Sequence, residues 1–223
     1  MTHSSRPAPI GAFGRRVALY GGSFDPVHLG HAHVARLAAE HFGLDQIVFV
    51  PAALPPHKQG WTLAPAGDRV AMLDLALANE PRWSVWTCEL ERSGPSFSID
   101  TVRSAPQALG LRADAELHWV LGWDNLRGFE RWRDAHELVR LAQPIVVWRG
   151  AEDEAALATV RTALGAELGA RLERGLVRAP PSPVSSTSVR ERIARGEWPR
   201  ESLEPAVLEY IRARGIYMRP AAP

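Results

Sequence analysis

The spacing of apolar and polar positions changes repeatedly along the chain, and each change marks the edge of an element. Arg16 to Tyr20 (RVALY) is a short apolar run that ends at Gly21-Gly22, after which the period changes from two to about 3.6. From His31 the apolar residues Val34, Leu37, Ala38 and Phe42 recur at helical spacing, and Gly43 stands where a helix stop is expected. Gln46 to Val50 (QIVFV) is again strand-like. Strand, helix and strand of these lengths predict a right-handed βαβ unit with parallel strands.

Beyond it, the Pro-rich stretch Pro51 to Pro65 reads as a loop and Asp68 to Asn79 as a helix. Trp83 to Cys88, Glu116 to Leu121 and Ile145 to Trp148 read as strands, and Thr101 to Leu109 as a weaker helix interrupted by Pro106. Ala151 to Arg174 predicts a long helix with a solvated face. Ser188 to Arg195 and Pro205 to Arg214 predict two short helices separated by Gly196-Glu197-Trp198-Pro199. The alternation implies an α/β fold: a doubly wound, Rossmann-like parallel sheet with helices on both faces and a C-terminal helical segment. Such folds bind ligands at the carboxyl ends of strands, where the strand order reverses. The first such end is Gly21-Gly22.

A chain of 223 residues, 46% of them hydrophobic, can bury one large core, so residues 1–15 are read as a flexible tail and 16–219 as a single domain with a helical C-terminal part at 183–219. Lys+Arg 26 against Asp+Glu 25 leaves a net charge of +1 and no general attraction to nucleic acid or a membrane surface. The expected partners are small molecules, and a homo-oligomer is compatible with the sequence. A single cysteine, Cys88, precludes an intramolecular disulfide. No apolar run approaches the roughly 20 residues of a membrane span, and the first fifteen residues lack the apolar centre of a secretory signal, so a cytoplasmic location is expected.

Residues 21 to 31 read GGSFDPVHLGH. Glycines at a strand end let the backbone approach an anion, and the following helix N-terminus offers unpaired N–H groups. His28 and His31, one helical turn apart, can donate to the same phosphates. Neither GxxxxGK[ST] nor GxGxxG follows the first strand. A zinc site built with His33 and His41 is the competing reading, but HExxH is missing and the i, i+2 spacing turns His33 away from His31, so no metal ligand is assigned. A second cluster, Val184 to Arg190 (VSSTSVR), has Ser188 three residues before Glu191. Read as a capping box, this puts Ser185, Ser186 and Thr187 at or just before a helix N-terminus, with Arg190 in its first turn.

GGSFDPVHLGH resembles the [ST]FDPxHxGH signature of the HxGH nucleotidyltransferase superfamily, which includes phosphopantetheine adenylyltransferases and cytidylyltransferases, and VSSTSVR resembles the ISSTxIR element. Three further segments narrow the resemblance to the bacterial nicotinate mononucleotide adenylyltransferases. Pro55-Pro56-His57-Lys58 resembles their PPHK, Pro95 to Thr101 (PSFSIDT) their PSYTxDT, and Gly122 to Leu126 with Phe129 and Trp132 their GxDxLxxFxxW. The matches span residues 20 to 190 at the family's spacing. Phosphopantetheine enzymes are shorter and lack the PPHK and Trp elements. This chain departs in having Ser23 for Thr, Phe97 for Tyr, and Arg133 where many members carry an aromatic residue.

The resemblance implies adenylyl transfer from ATP to nicotinate mononucleotide in NAD biosynthesis. It implies catalytic roles for His28, His31 and Arg190. ATP would be bound by these three with Gly21, Gly22, Ser23, Phe24, Asp124, Ser185, Ser186 and Thr187, so that the C-terminal part completes the ATP site. The mononucleotide would be bound by Asp25, His57, Lys58, Phe97, Ser98, Trp132 and Arg149, and Mg²⁺ would arrive with ATP. Nicotinamide mononucleotide or phosphopantetheine as acceptor, and a non-catalytic nucleotide-binding protein on the same fold, are alternatives that residues alone leave open.

Overall fold

A computed structural model describes residues 13–53, 63–148, 154–180 and 184–218, except for the side chains of Asp124 and Trp148. Within them six strands form one sheet: β1 (Arg16–Gly22), β2 (Gln46–Pro51), β3 (Trp83–Val85), β4 (Glu116–Gly122), β5 (Gln143–Trp148) and β6 (Leu176–Arg178). The order is β3-β2-β1-β4-β5-β6 and every neighbouring pair is parallel. The chain therefore winds outward from β1 to β3, returns past β1, and winds the other way from β4. The reversal lies between β1 and β4, which places the crevice at Gly21-Gly22 and Gly122.

The sheet's side chains alternate between two cores, as a strand's period of two requires. On one face Ala18, Tyr20, Ile47, Phe49, Val120 and Ile145 meet helices α1 (Leu29–Phe42), α2 (Ala66–Leu77), α6 (Ser186–Ala194) and α7 (Pro205–Arg214). On the other, Val17, Leu19, Val48, Val50, Leu121 and Val146 meet α3 (Ser98–Ala108), α4 (Ala135–Leu141) and α5 (Glu154–Arg174). Because both faces are covered, the strands read as nearly continuous apolar runs. The C-terminal helices are tied down by charge as well: the Asp68 carboxylate on α2 accepts from the Tyr210 hydroxyl at 2.7 Å and from Arg214 Nε at 3.1 Å on α7.

Several boundaries differ from the sequence reading, each for a local reason. β3 stops at Val85, because Trp86 N makes the last bond to β2, at Phe49 O, before the chain turns over Thr87 and Cys88. Pro106 does not interrupt α3: the helix runs through it, and Leu109 N still reaches Ala105 O. Pro144 conceals the start of β5, which begins at Gln143. The long helix is broken at Gly165, whose φ of 77° and ψ of 174° are non-helical and open to a residue without Cβ. The two segments it joins still bury Leu157, Val160, Leu164, Leu168 and Leu172 against the sheet. The expected tail ends earlier than Arg15, for Phe13 is buried in the second core and Gly14 N donates to Gln46 Oε1.

Phe49 sits at the centre of the first core, fully buried, with its ring 5.2 Å from Tyr20 and 5.6 Å from both Phe24 and Trp83. Phe49→Ala is expected to lower unfolding stability by about 3–5 kcal/mol, read as a reduced urea midpoint at unchanged slope.

Candidate active site

A cavity of about 680 Å³ opens at the strand-order reversal, and both motif clusters line it. β1 delivers the backbone of Gly21 and Gly22 to its floor. A Cβ at Gly21 would lie 2.8 Å from Trp119 Cζ2, and one at Gly22 would lie 2.9 Å from Phe24 Cζ. Two rings thus occupy the space that side chains would need. After Ser23 the chain folds back through Phe24, whose φ of 46° is in the left-handed region, unfavourable for a bulky residue by about 1 kcal/mol or more. The turn pays for itself in packing, since Phe24 is buried and its ring meets Tyr20 at 5.6 Å and His31 at 5.0 Å.

His28 caps α1 in an extended conformation, and its ring stacks on that of His31 with centroids 3.8 Å apart. The His28 backbone N–H donates to His31 Nδ1 at 3.2 Å. Nδ1 is thereby an acceptor, which leaves the proton of a neutral His31 on Nε2, available to an anion. Between the two rings in sequence, Gly30 makes room: a Cβ there would stand 2.9 Å from His28 Cε1 and Nδ1.

The second cluster docks on the same loop from the far end of the chain. The cap of α6 is Ser185, not Ser188. The Ser185 hydroxyl accepts from Ser188 N at 3.1 Å, so the helix begins one turn earlier than the Ser188/Glu191 pattern suggests. Ser186 Oγ then donates to Pro26 O at 3.0 Å, and Arg190 Nη1 donates to Asp25 O at 2.7 Å. Arg190 Nη2 also donates to Thr187 Oγ1 at 3.3 Å. The N-termini of α1 and α6 therefore border one cavity, and each contributes partial positive charge there.

Of the residues expected in the site, Gly21, Gly22, Ser23, His28, His31, Phe97, Ser98, Trp132, Ser185, Ser186, Thr187 and Arg190 line the cavity together. Phe24 and Asp25 do not line it. Phe24 lies beneath the strand end, and Asp25, only 2% exposed, directs its carboxylate to the Tyr217 hydroxyl at 2.6 Å and Ala64 N at 3.1 Å. Both side chains are engaged in contacts within the protein. Asp124 lies on a turn of 3₁₀ helix (Trp123–Asn125) whose flanking residues reach the cavity, while His57, Lys58 and Arg149 lie outside the described residues.

The structure adds lining residues that carried no individual signal, among them Glu89, Ser96, Trp119, Asn125 and Arg131, and it places Arg133, noted in the sequence as a departure from the family, in the same wall. Ser96 and Asn125 fall inside quoted motifs. Trp119 was hidden in a strand's apolar run, yet its buried Nε1 has no hydrogen-bond partner among the described residues and remains an unused donor in the wall. Glu89 is buried and accepts from Thr101 Oγ1 at 2.7 Å, with Ser96 also bonded to it. Burial pushes its carboxyl up, against the hydrogen bonds and the Arg92 charge. Burial also pushes the neighbouring Cys88 thiol up to about 12, so that it stays protonated and unreactive at neutral pH. No group of three or more His, Cys, Asp or Glu residues that could hold a metal occurs among the described residues, and His33 and His41 are exposed.

Comparison with known proteins agrees in its coverage with this arrangement. The cytidylyltransferase-like family matches residues 19–192, from the glycine-ended first strand to the second cluster. A protein of Gloeobacter violaceus described as a probable nicotinate-nucleotide adenylyltransferase is 40% identical over 216 residues, 93% of this chain and 98% of its own. Another so described, from Dehalococcoides mccartyi, is 35% identical over 92% of this chain and 98% of its own. The fold is similar to that of the Plasmodium falciparum nicotinic acid mononucleotide adenylyltransferase solved with NaAD. That likeness has a TM-score of 0.70 at 19% identity, over 92% of this chain and 98% of the other.

Gly30→Ala tests whether the missing Cβ serves the His28 ring. The imidazole resonances of His28 are expected to shift as the ring is displaced. The melting temperature should hold or rise, since alanine favours a helix by up to about 1 kcal/mol over glycine. An unshifted His28 would show that the ring does not need the space.

Proposed function

The chain belongs to the cytidylyltransferase-like family and, within it, to the nicotinate-nucleotide adenylyltransferases, and from that premise we infer that its cavity joins ATP to nicotinate mononucleotide. The products are nicotinate adenine dinucleotide, a precursor of NAD, and pyrophosphate. The observation that carries this reading is the meeting, in one cavity, of two helix N-termini and stacked histidines with an aromatic wall of Phe97 and Trp132. The first half suits a polyphosphate and the second a planar ring.

In the reaction a non-bridging phosphate oxygen of the mononucleotide forms a bond to the α-phosphorus of ATP while the bond from that phosphorus to pyrophosphate breaks. The attacking phosphate is already ionised, its second pKa being near ~6, so no general base is required. Catalysis then comes from positioning and from donors aimed at developing charge. We assign His28 and His31 to the α- and β-phosphates, and the amides and hydroxyls of Ser185 to Thr187 with Arg190 to the β- and γ-phosphates. Gly21, Gly22 and Ser23 allow the nucleotide's close approach, and Asp124 helps to place it. Trp132 stacks on the pyridine ring, Phe97 and Ser98 border it, and His57, Lys58 and Arg149 are assigned to the mononucleotide. ATP enters as its magnesium complex, with the ion held by phosphate oxygens.

Residues 16–219 are proposed to act as one catalytic domain, its C-terminal part completing the ATP site through the bonds of Ser186 and Arg190 to residues 25 and 26. No described helix is long and apolar enough to cross a membrane, and we place the enzyme in the cytoplasm, where a single cysteine needs no oxidising compartment.

Purified protein supplied with MgATP and nicotinate mononucleotide is expected to release pyrophosphate and form the dinucleotide. Binding of ATP without pyrophosphate release in the presence of either pyridine mononucleotide would instead indicate a nucleotide-binding protein, and a preference for phosphopantetheine a different acceptor class. His31→Ala is expected to lower kcat by about 100–1000-fold with a modest change in the KM for ATP. Near-normal turnover would remove His31 from the mechanism.

A further inference from the structure

The two pyridine mononucleotides differ at one substituent, a carboxylate in one and a carboxamide in the other, so selection between them has to act on a single group. Resting on the function proposed above, we propose that Arg133 is the specificity-determining residue that selects the nicotinate carboxylate.

Three observations fix this guanidinium at the acceptor wall. Arg133 lines the cavity together with Trp132, its neighbour in sequence, and with Phe97 and Ser98. Its guanidinium carbon lies 4.9 Å from the centroid of the Phe97 ring, within cation–π range. Its Nη1 lies 3.5 Å from Asp100 Oδ2, in the first turn of α3, which holds the group against the helix that Phe97 caps. The side chain is half exposed at the cavity rim, and a planar ring placed on the aromatic wall would cover it and remove competing water.

The chemistry of the fork explains the choice. A guanidinium has only donors, and a carboxylate presents two acceptor oxygens to it, a bidentate fit reinforced by charge. A carboxamide presents one acceptor and one NH₂, so one side of the fork meets a donor. Arg131, the other cation of this wall, is differently disposed: its guanidinium packs over Gly128 and pairs with Glu130 at 3.6 Å. Of the nearby carboxylates, Glu89 is already engaged by Thr101, Ser96 and Arg92, and Asp100, which faces Arg133, is shared with Arg103 at 3.7 Å, so two guanidinium groups meet one carboxylate there.

The test compares kcat/KM for nicotinate and nicotinamide mononucleotide in the wild type, Arg133→Met, Arg133→Lys and Arg131→Met. Dissociation constants for both mononucleotides are measured in parallel by calorimetry. Arg133→Met is expected to lower the nicotinate-to-nicotinamide ratio at least about tenfold, through KM and Kd more than kcat, the size of one charge-assisted hydrogen bond. Arg133→Lys should retain part of the ratio, and Arg131→Met should keep it within about twofold. An unchanged ratio in Arg133→Met, or an equal loss for both substrates, overturns the assignment, as does a ratio that moves in Arg131→Met instead. Failure of the function itself looks different: wild-type protein would then turn over neither mononucleotide.

Discussion

The buried carboxylate of Asp25 is the point on which the site depends. A charge 2% exposed is tolerable only if donors surround it, and these come from distant parts of the chain. The Tyr217 hydroxyl donates from the C-terminal turn and Ala64 N from the approach to α2, while Arg190 of α6 stands 3.8 Å from Oδ2. Burial, with Asp25 adding to it, pushes the Tyr217 phenol up, so it remains a hydrogen-bond donor at any physiological pH. Below Asp25 the guanidinium of Arg69, itself 2% exposed, donates to the carbonyls of Ser23, Ala52 and Ala64. Burial lowers the Arg69 pKa, and the Asp25 charge opposes that.

This knot holds the loop after β1 from several sides. The loop carries a non-glycine residue at positive φ, Phe24, a conformation that persists only where surrounding contacts over-determine it. Residues 23 to 26 are held by Arg69, Arg190, Ser186 and Tyr217, and these bonds tie the loop that leads to His28 and His31 to the N-terminus of α6. Donors already in place need no reorganisation as charge develops, which is the advantage of a preorganised site. It also explains why the last residues of the chain matter to a site that begins near residue 21. Leu29 N, at the first residue of α1, donates to Ser202 O in the α6–α7 connection, so the two motif clusters share one frame.

What the sequence made legible follows from how local the determining physics is. The alternation of Val17 and Leu19 with Ala18 and Tyr20, the glycine end of β1 and the Gly43 stop of α1 are local, and the strand-helix-strand unit was read correctly from them. The three-residue edge strand β6 and the seven-residue α4 are too short for a period to declare itself, and both were missed. Ser185 and Ser188 are each plausible caps, and only the tertiary bond of Ser186 to Pro26 selects between the two registers. The structural partners of Asp25 were hidden for the same reason at longer range. A carboxylate between glycines and histidines suggests a ligand contact, and its partner Tyr217 lies 192 residues away.

Charge in the cavity is equally invisible in a total. The chain's net charge of +1 arises because many arginines are matched at the surface. Arg103 pairs with Asp134 and Glu137, Arg192 with Glu197 and Glu201, and Arg36 with Glu80, all exposed pairs that salt and water screen. Of the described residues lining the cavity, Glu89 alone is acidic, against the three arginines Arg131, Arg133 and Arg190. Thr101, Ser96 and Arg92 engage that one carboxylate from within the wall. These groups lie where two helix N-termini add their own partial charge, a setting that suits a polyphosphate beside an anionic acceptor in a protein whose total charge is near zero.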